Sequence, residues 1–321
     1  MTIHRTAFAG LAGALALCLA PAASAQQDFP SDTIDVVIHA GPGGGTDITT
    51  RMMTTGATKV FGEDMQVVPK RGGSGAAALM YVDSQPRDGH TIMTLTQSHI
   101  FNILQEKVPL TIEDIVPLAR ATDDPMVIAV PTSSDIKTMD DLVEASNSTD
   151  GGLKWGTTFA GGADHVAIHT FTKEAGIPYT IVPFKGGGDI VTNLVGGNVD
   201  VALLNYAEGE SQFNAGELKA IAALSEERID ALPDTPTAKE AGVDATASTV
   251  RGFVVLSGVP QDVVDTLSDG IVEGMSTPQY TNYLKSGGMP ATSVVGQEEW
   301  GDHIMRIYEE SQSALEELGL L

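Results

Sequence analysis

Residues 33–39, Thr-Ile-Asp-Val-Val-Ile-His, first alternate in polarity and then run apolar, which predicts a strand entering a buried sheet. Ala40-Gly-Pro-Gly-Gly-Gly-Thr-Asp47 follows as a tight loop, and Thr46 or Asp47 can cap a helix predicted from about Ile48 to Val60. Met65–Val68 predicts a second strand. Arg71-Gly-Gly-Ser-Gly75 is another glycine loop, opening an Ala-rich helix to about Ser84. A turn at Pro86–His90 leads to a third strand, Thr91–Leu95. This order predicts parallel strands joined by right-handed crossovers.

The pattern then restarts. Strands are predicted at Met126–Val130, Leu153–Trp155, Thr180–Pro183, Val199–Leu204, Lys219–Ala223 and Arg251–Leu256. Helices are predicted over Thr138–Ser146, with a Thr-x-x-Asp start, over Asp164–Ala175, after Gly188 to about Val195, and through most of Gln261–Leu318. Two further glycine loops, Gly156–Ala163 and Lys185–Gly188, again fall between strand and helix. The chain is expected to cross between two α/β units near Asp123–Met126 and to return near Thr249–Arg251. A strand, a glycine loop and a helix N-terminus together make an anion site from backbone N–H groups and the helix dipole. In open sheets, ligands bind at such strand ends and in interdomain clefts.

Length fits this picture, since 321 residues with 42% hydrophobic content suffice for two domains. The net charge of −24 argues against nucleic-acid partners. Residues 1–25 read as a secretory leader: His4 and Arg5, an apolar run from Phe8 to Ala20, and Ala23-Ser24-Ala25 as the cleavage site. Cleavage would remove Cys18, the only cysteine, so no disulfide, thiol nucleophile or Cys-bound metal is expected. Arg71, Lys185 and Arg251 lie next to or near the loops and can add formal positive charge.

Enzyme motifs are incomplete. Gly41–Thr46 lacks the sixth glycine of a dinucleotide fingerprint, and Gly72–Ala76 lacks the last glycine of a nucleophile elbow. His165 and His169 have zinc-site spacing but no glutamate between them, so no metal is assigned. Glu208 and Glu210 are expected on a solvated loop.

Taken in order, several segments resemble the solute-binding proteins of tripartite tricarboxylate transporters, the Bug or TctC-type family. They are Ala40–Asp47 with Arg51, Arg71–Ala77, Pro86–Thr91, Gly156–His165, Val182–Gly186, Leu194–Asp200 and Leu232–Gly242. The resemblance implies an α/β, two-domain periplasmic-binding-protein fold of type II kind. Its sheets would be parallel-rich with flanking helices and two crossovers. It implies domains at 26–124 plus 251–321 and at 125–250, with no catalysis and no cofactor. The ligand would be a di- or tricarboxylate held in the cleft and delivered to membrane permease subunits by a periplasmic protein, expected to be a monomer.

By the same resemblance, Gly43, Gly44, Gly45 and Thr46 would donate to one carboxylate. Ser74, Thr96 and Ser98 would add contacts from the first domain. Thr157, Thr158, Ala163, Asp164, Lys185, Gly186 and Asn205 would face the ligand from the second. Two positions depart from the family pattern. Asp164 stands near a usually small residue, and Arg251 stands where an aromatic residue is common, so a third carboxylate could meet it. An exported hydrolase on the same layers, or a receptor feeding a sensor, are the competing readings.

Overall fold

The computed structural model describes residues 29–158, 161–184 and 186–321. The expected leader with Cys18, and the expected ligand residue Lys185, lie outside the described residues. A nine-stranded mixed sheet carries helices on both faces.

The first half of the sheet follows the order β2 (Met65–Pro69), β1 (Ile34–Ile38), β3 (Thr91–Thr96), β9 (Ser248–Leu256) and β4 (Ile115–Pro131). The second half continues from β4 to β7 (Val201–Asn205), β5 (Leu153–Thr157) and β6 (Tyr179–Pro183), with β8 (Leu218–Ala223) also on β4. The expected parallel pairs are present: β1 with β2 and β3, and β5 with β6 and β7. Pairings at the junction are antiparallel, because β4 carries the chain out of the first half and β9 brings it back.

β4 is the strand that joins the halves. It pairs β9 from Ile115 to Pro125, then β7 from Met126. Sequence patterning predicts only its second part. The first part, Ile115–Pro125, carries two prolines and Arg120, Asp123 and Asp124, and it is interrupted by register shifts. Tertiary pairing overrides its weak strand propensity.

Helix α1 (Gly45–Phe61) starts three residues earlier than predicted, at the last loop glycine. It packs against α8 (Gln261–Met275) over the core of Ile34, Met53, Phe253, Leu267 and Ile271. The opposite face of this half is covered by α2 (Ala76–Asp83), α3 (Gln97–Leu104) and α10 (Gln297–Glu317), around Leu95, Ile100, Val254 and Trp300. In the second half, α4 (Met139–Ser148) and α5 (Ala163–Glu174) cover Trp155 and Phe171. On its other face lie α6 (Gly187–Val195) and α7 (Tyr206–Asn214). The Thr138 start signal is realised as a reciprocal cap with Asp141. Two short helices were not anticipated, α3 and α7; Glu208 and Glu210 therefore lie on a helix, not a loop. Between α8 and α10 runs α9 (Pro278–Ser286), capped by Thr277.

Among the described residues no helix is long and apolar enough to cross a membrane.

The approach of α1 to α8 depends on two glycines. A Cβ on Gly56 would collide with the carbonyl of Gly274, and a Cβ on Gly274 would lie 2.5 Å from the backbone N of Ala57. The contact is backbone to backbone, so no side-chain rotation relieves it. Gly274→Ala is therefore expected to separate the helices and to cost about 1–3 kcal/mol. Urea unfolding is the check, with a lowered midpoint and an unchanged slope as the expected result.

Candidate ligand-binding site

Four glycine loops end strands as predicted, but three already hold a carboxylate of the chain itself. Asp47, buried in the first turn of α1, accepts from the Gly43 N–H (2.9 Å) and from Arg51 Nε (2.9 and 3.0 Å). The Arg51 hydrogen bond is the main reason its carboxyl is held below the usual range. Asp164 accepts from the Thr158 N–H and, at 2.9 Å, from the Thr158 hydroxyl. The Glu208 carboxyl covers Gly187 at the start of α6, where a Cβ would collide with it, and accepts from the Asn205 N–H (3.3 Å). Each of these carboxylates covers part of its loop, and at the first loop the Gly45 and Thr46 N–H groups are left without a side-chain cap.

The loop after β2 differs. Gly72, Gly73, Ser74 and Gly75 all have positive φ, and Ser74 adopts a left-handed conformation (φ 51°) that costs an L-residue about 1–2 kcal/mol. Asn102 Nδ2 donates to the Ser74 carbonyl (2.9 Å). The Arg71 guanidinium lies against Gly41, 3.4 Å from where its Cβ would be, which links this loop to the first.

Arg251 is a cation at the junction. It lies on β9 between Thr96 of β3 and Thr122 of β4. Its guanidinium reaches over Gly45, where a Cβ would stand 2.7 Å from Nη2 and would push the arginine aside. The N–H groups of Gly45 and Thr46 have no intrahelical partner, and no side chain caps this end of α1. Comparison with Arg120 is instructive. Arg120 donates to the carbonyls of Ser293 (2.9 Å) and Thr292 (2.7 Å) and to His303 Nδ1 (2.8 Å), and pairs with Asp123 (3.0 Å). Burial holds His303 down at about 4, neutral and able to accept. Arg251 has no hydrogen bond and no carboxylate within 4 Å among the described residues, and its Nε is enclosed without a partner.

Asp124 sits on the same face, since Asp124 is opposite Thr249 and strand side chains alternate with period two. The carboxyl is 8% exposed, and Oδ1 has no partner. Burial pushes it up to about 7, against the opposing pull of the Arg251 charge and with a further push from Glu208. Glu208 is also raised, first by the protein crowding its carboxyl and then by Asp164, while the Asn205 N–H and Arg251 draw it down. Asn205 ties the two halves: its Nδ2 donates to the Asp124 carbonyl (2.7 Å), and its Oδ1 accepts from the Thr249 hydroxyl (2.8 Å).

Beneath the glycine loops, His39 and His99 meet edge to face with centroids 4.6 Å apart. The Thr96 N–H donates to His99 Nδ1 (3.0 Å), which assigns the proton of the neutral ring to Nε2. Burial keeps both rings neutral, helped by the charge of Arg251 on His39.

The structure therefore joins Gly45, Thr96, Asn205 and Arg251 directly. Thr158, Asp164 and Gly186 lie along the second-half wall of the same junction, close enough for Asp164 to act on Glu208. Ser98 lies in the first turn of α3, and Thr157 is the buried end of β5. Ala163 packs its methyl against the cluster of Phe101, Val166, Ala314 and Leu315, leaving its backbone as the part that can reach a ligand. The histidine pair of α5 is engaged otherwise: His165 accepts from the Gly161 N–H (2.9 Å), and His169 meets Tyr179 Oη and Glu317 (both 3.1 Å). No group of three potential metal ligands occurs among the described residues. Sequence reasoning missed Thr122, Asp124 and Glu208. The only available signal was a pair of acids, Asp123-Asp124, at the expected crossing.

Comparison with known proteins follows this geometry. A family described as the tripartite tricarboxylate transporter family receptor matches residues 49–317. A protein of the UPF0065 group from Cupriavidus necator is 24% identical over 99% of this chain and 97% of its own. A TctC solute-binding protein from Polaromonas superposes with a TM-score of 0.81 at 25% identity, covering 90% of this chain and 99% of its own. MatC from Rhodopseudomonas palustris, solved with bound malate, superposes at 0.73 with 22% identity, covering 89% and 100%, and shares the fold.

The raised carboxyl of Asp124 has a consequence for stability. Between the ordinary carboxylate range and about 7 the folded chain holds this proton more tightly than the unfolded chain, so stability falls as pH rises through that window. Asp124→Asn lacks this ionisation. Its stability relative to the wild type is expected to increase from pH 5 to pH 8 in urea unfolding. A difference that does not vary with pH would contradict the burial argument.

Proposed function

Because the chain belongs to the tripartite tricarboxylate transporter family of receptors, we propose that it captures a small carboxylate in the cleft between its two sheet halves and delivers it to the membrane permease of such a transporter. The observation that carries this reading is Arg251, a guanidinium with no carboxylate within 4 Å among the described residues, beside the uncapped N-terminus of α1. Both groups favour an anion, and a carboxylate can take paired N–H donors from each. The local field answers the objection from a net charge of −24, since distant charges are screened over roughly 8–10 Å in ordinary salt while these donors touch the ligand. Malate in MatC supports the ligand class.

The mechanism proposed is hinge closure. Residues 26–124 with 251–321 form one domain and residues 125–250 the other. The chain crosses twice, where β4 exchanges β9 for β7 at Pro125–Met126 and where β9 begins at Ser248. Two crossings restrict motion to opening and closing about the junction, and Asn205 bridges both strands there. The same reading makes residues 1–25 a removed leader and the mature protein periplasmic.

A thermal-shift screen of the mature protein against C4–C6 dicarboxylates, citrate, acidic amino acids and aromatic acids tests the reading. A ligand at 100 times its Kd adds about 2.7 kcal/mol, a shift of a few degrees. Arg251→Gln is expected to weaken the selected acid by about 10- to 100-fold, the worth of a charged hydrogen-bond pair. Unchanged affinity in that variant, or no stabilisation by any acid, would refute it.

A further inference from the structure

Among the described residues, seven buried side-chain nitrogen or oxygen atoms lack a hydrogen-bond partner, and three of them share one face of the β4–β9 ladder: Thr122 Oγ1, Asp124 Oδ1 and Arg251 Nε. Native proteins rarely leave such atoms unsatisfied, so a cluster of three points to a polar ligand that completes them. The cluster has two unlike ends. Arg251 and the first turn of α1 supply donors and positive charge. Asp124, 8% exposed, supplies a carboxyl with no cation within 4 Å among the described residues.

We propose that this face recognises an amino-carboxylate, with the carboxylate on Arg251 and the Gly45–Thr46 N–H groups and the ammonium on Asp124. The inference deepens the receptor reading and rests on it. A plain dicarboxylate would bring its second negative charge toward Asp124, Glu208 and Asp164. Of these, Glu208 and Asp164 also have no cation within 4 Å among the described residues. An ammonium at that end converts the repulsion into an ion pair and supplies donors to Asp124 Oδ1 and Thr122 Oγ1. Asp124 is thereby the residue that separates amino acids from their deaminated counterparts.

Pairing with an ammonium requires Asp124 to be ionised. The charged and titratable groups that face it are Asp123 on its own strand, Arg251 on β9, Glu208 on α7 and Tyr283 on α9. Burial keeps its proton on in the empty cleft, and of these groups only Arg251 opposes that. Amino-acid binding therefore releases a proton below about pH 7 and tightens as pH rises from 5.5 to 8.

Calorimetry with two matched pairs, L-aspartate against succinate and L-glutamate against glutarate, tests the inference at pH 7.5. At least one amino member is expected to bind ten-fold or more tightly than its deaminated partner. Its affinity should fall on going to pH 5.5, with proton release measured in buffers of different ionisation enthalpy. Asp124→Asn should remove both the preference and the proton release. The wild-type pH series stands as a second readout if that variant does not fold. Equal or tighter binding of succinate or glutarate would overturn the amino-carboxylate assignment and leave the receptor reading intact. So would a preference retained in Asp124→Asn. Absence of binding by both pairs would overturn the assignment, and the receptor reading would fall with it only if no acid in the wider screen stabilised the protein.

Discussion

A guanidinium held at the meeting point of two sheet halves, with no hydrogen-bonded partner among the described residues, is the constraint around which the site is built. Arg251 reaches its position because β9 returns the chain between β3 and β4. It can lie against the start of α1 only because residue 45 has no side chain. The start of α1 is fixed in turn by the glycine contact with α8, deep in the first half. Arg251 is half-buried with its Nε enclosed, and a cation drawn away from water costs free energy unless something negative meets it. Arg120, on β4, resolves the same problem internally with two carbonyls, a histidine and Asp123. Arg251 leaves it for a ligand to resolve.

The glycine loops divide into two kinds. Asp47, Asp164 and Glu208 each cover part of one loop, while the Gly45 and Thr46 N–H groups of the first keep no side-chain cap. Such filling costs nothing in charge balance at Asp47, which has Arg51 beside it. At Asp164 and Glu208 no cation stands within 4 Å among the described residues. A chain of net charge −24 can hold a carboxylate because the deciding interactions are short: two backbone N–H groups and one guanidinium. Charge sign at the mouth and charge sign at the anchor are separate properties, and here they oppose each other.

Much of this was legible in the sequence because hydrophobic period and glycine punctuation are local signals. Predicted strands fall on β1–β3, the second part of β4 and β5–β9. What escaped has physical reasons. Ile115–Pro125 contains two prolines and three charged residues, and it is a strand only because β9 pairs with it along its length. The helix α7 is nine residues long with Glu208 and Glu210 in its first two turns, a pattern indistinguishable from a solvated loop without the Asn205 cap. Asp124 is ordinary in sequence. Its importance comes from burial and from its place opposite Thr249, neither of which a linear pattern encodes. The internal filling of the loops was likewise hidden, since a carboxylate in a first helical turn reads as a cap whether or not it also closes an anion site.

The most direct measurement is a crystal structure of the mature protein with its solute bound. The account predicts a ligand carboxylate about 2.7–2.9 Å from the Arg251 guanidinium nitrogens and within hydrogen-bond reach of the Gly45 and Thr46 N–H groups. A solute bound elsewhere, with Arg251 turned to pair with Asp124 or Glu208, would contradict it.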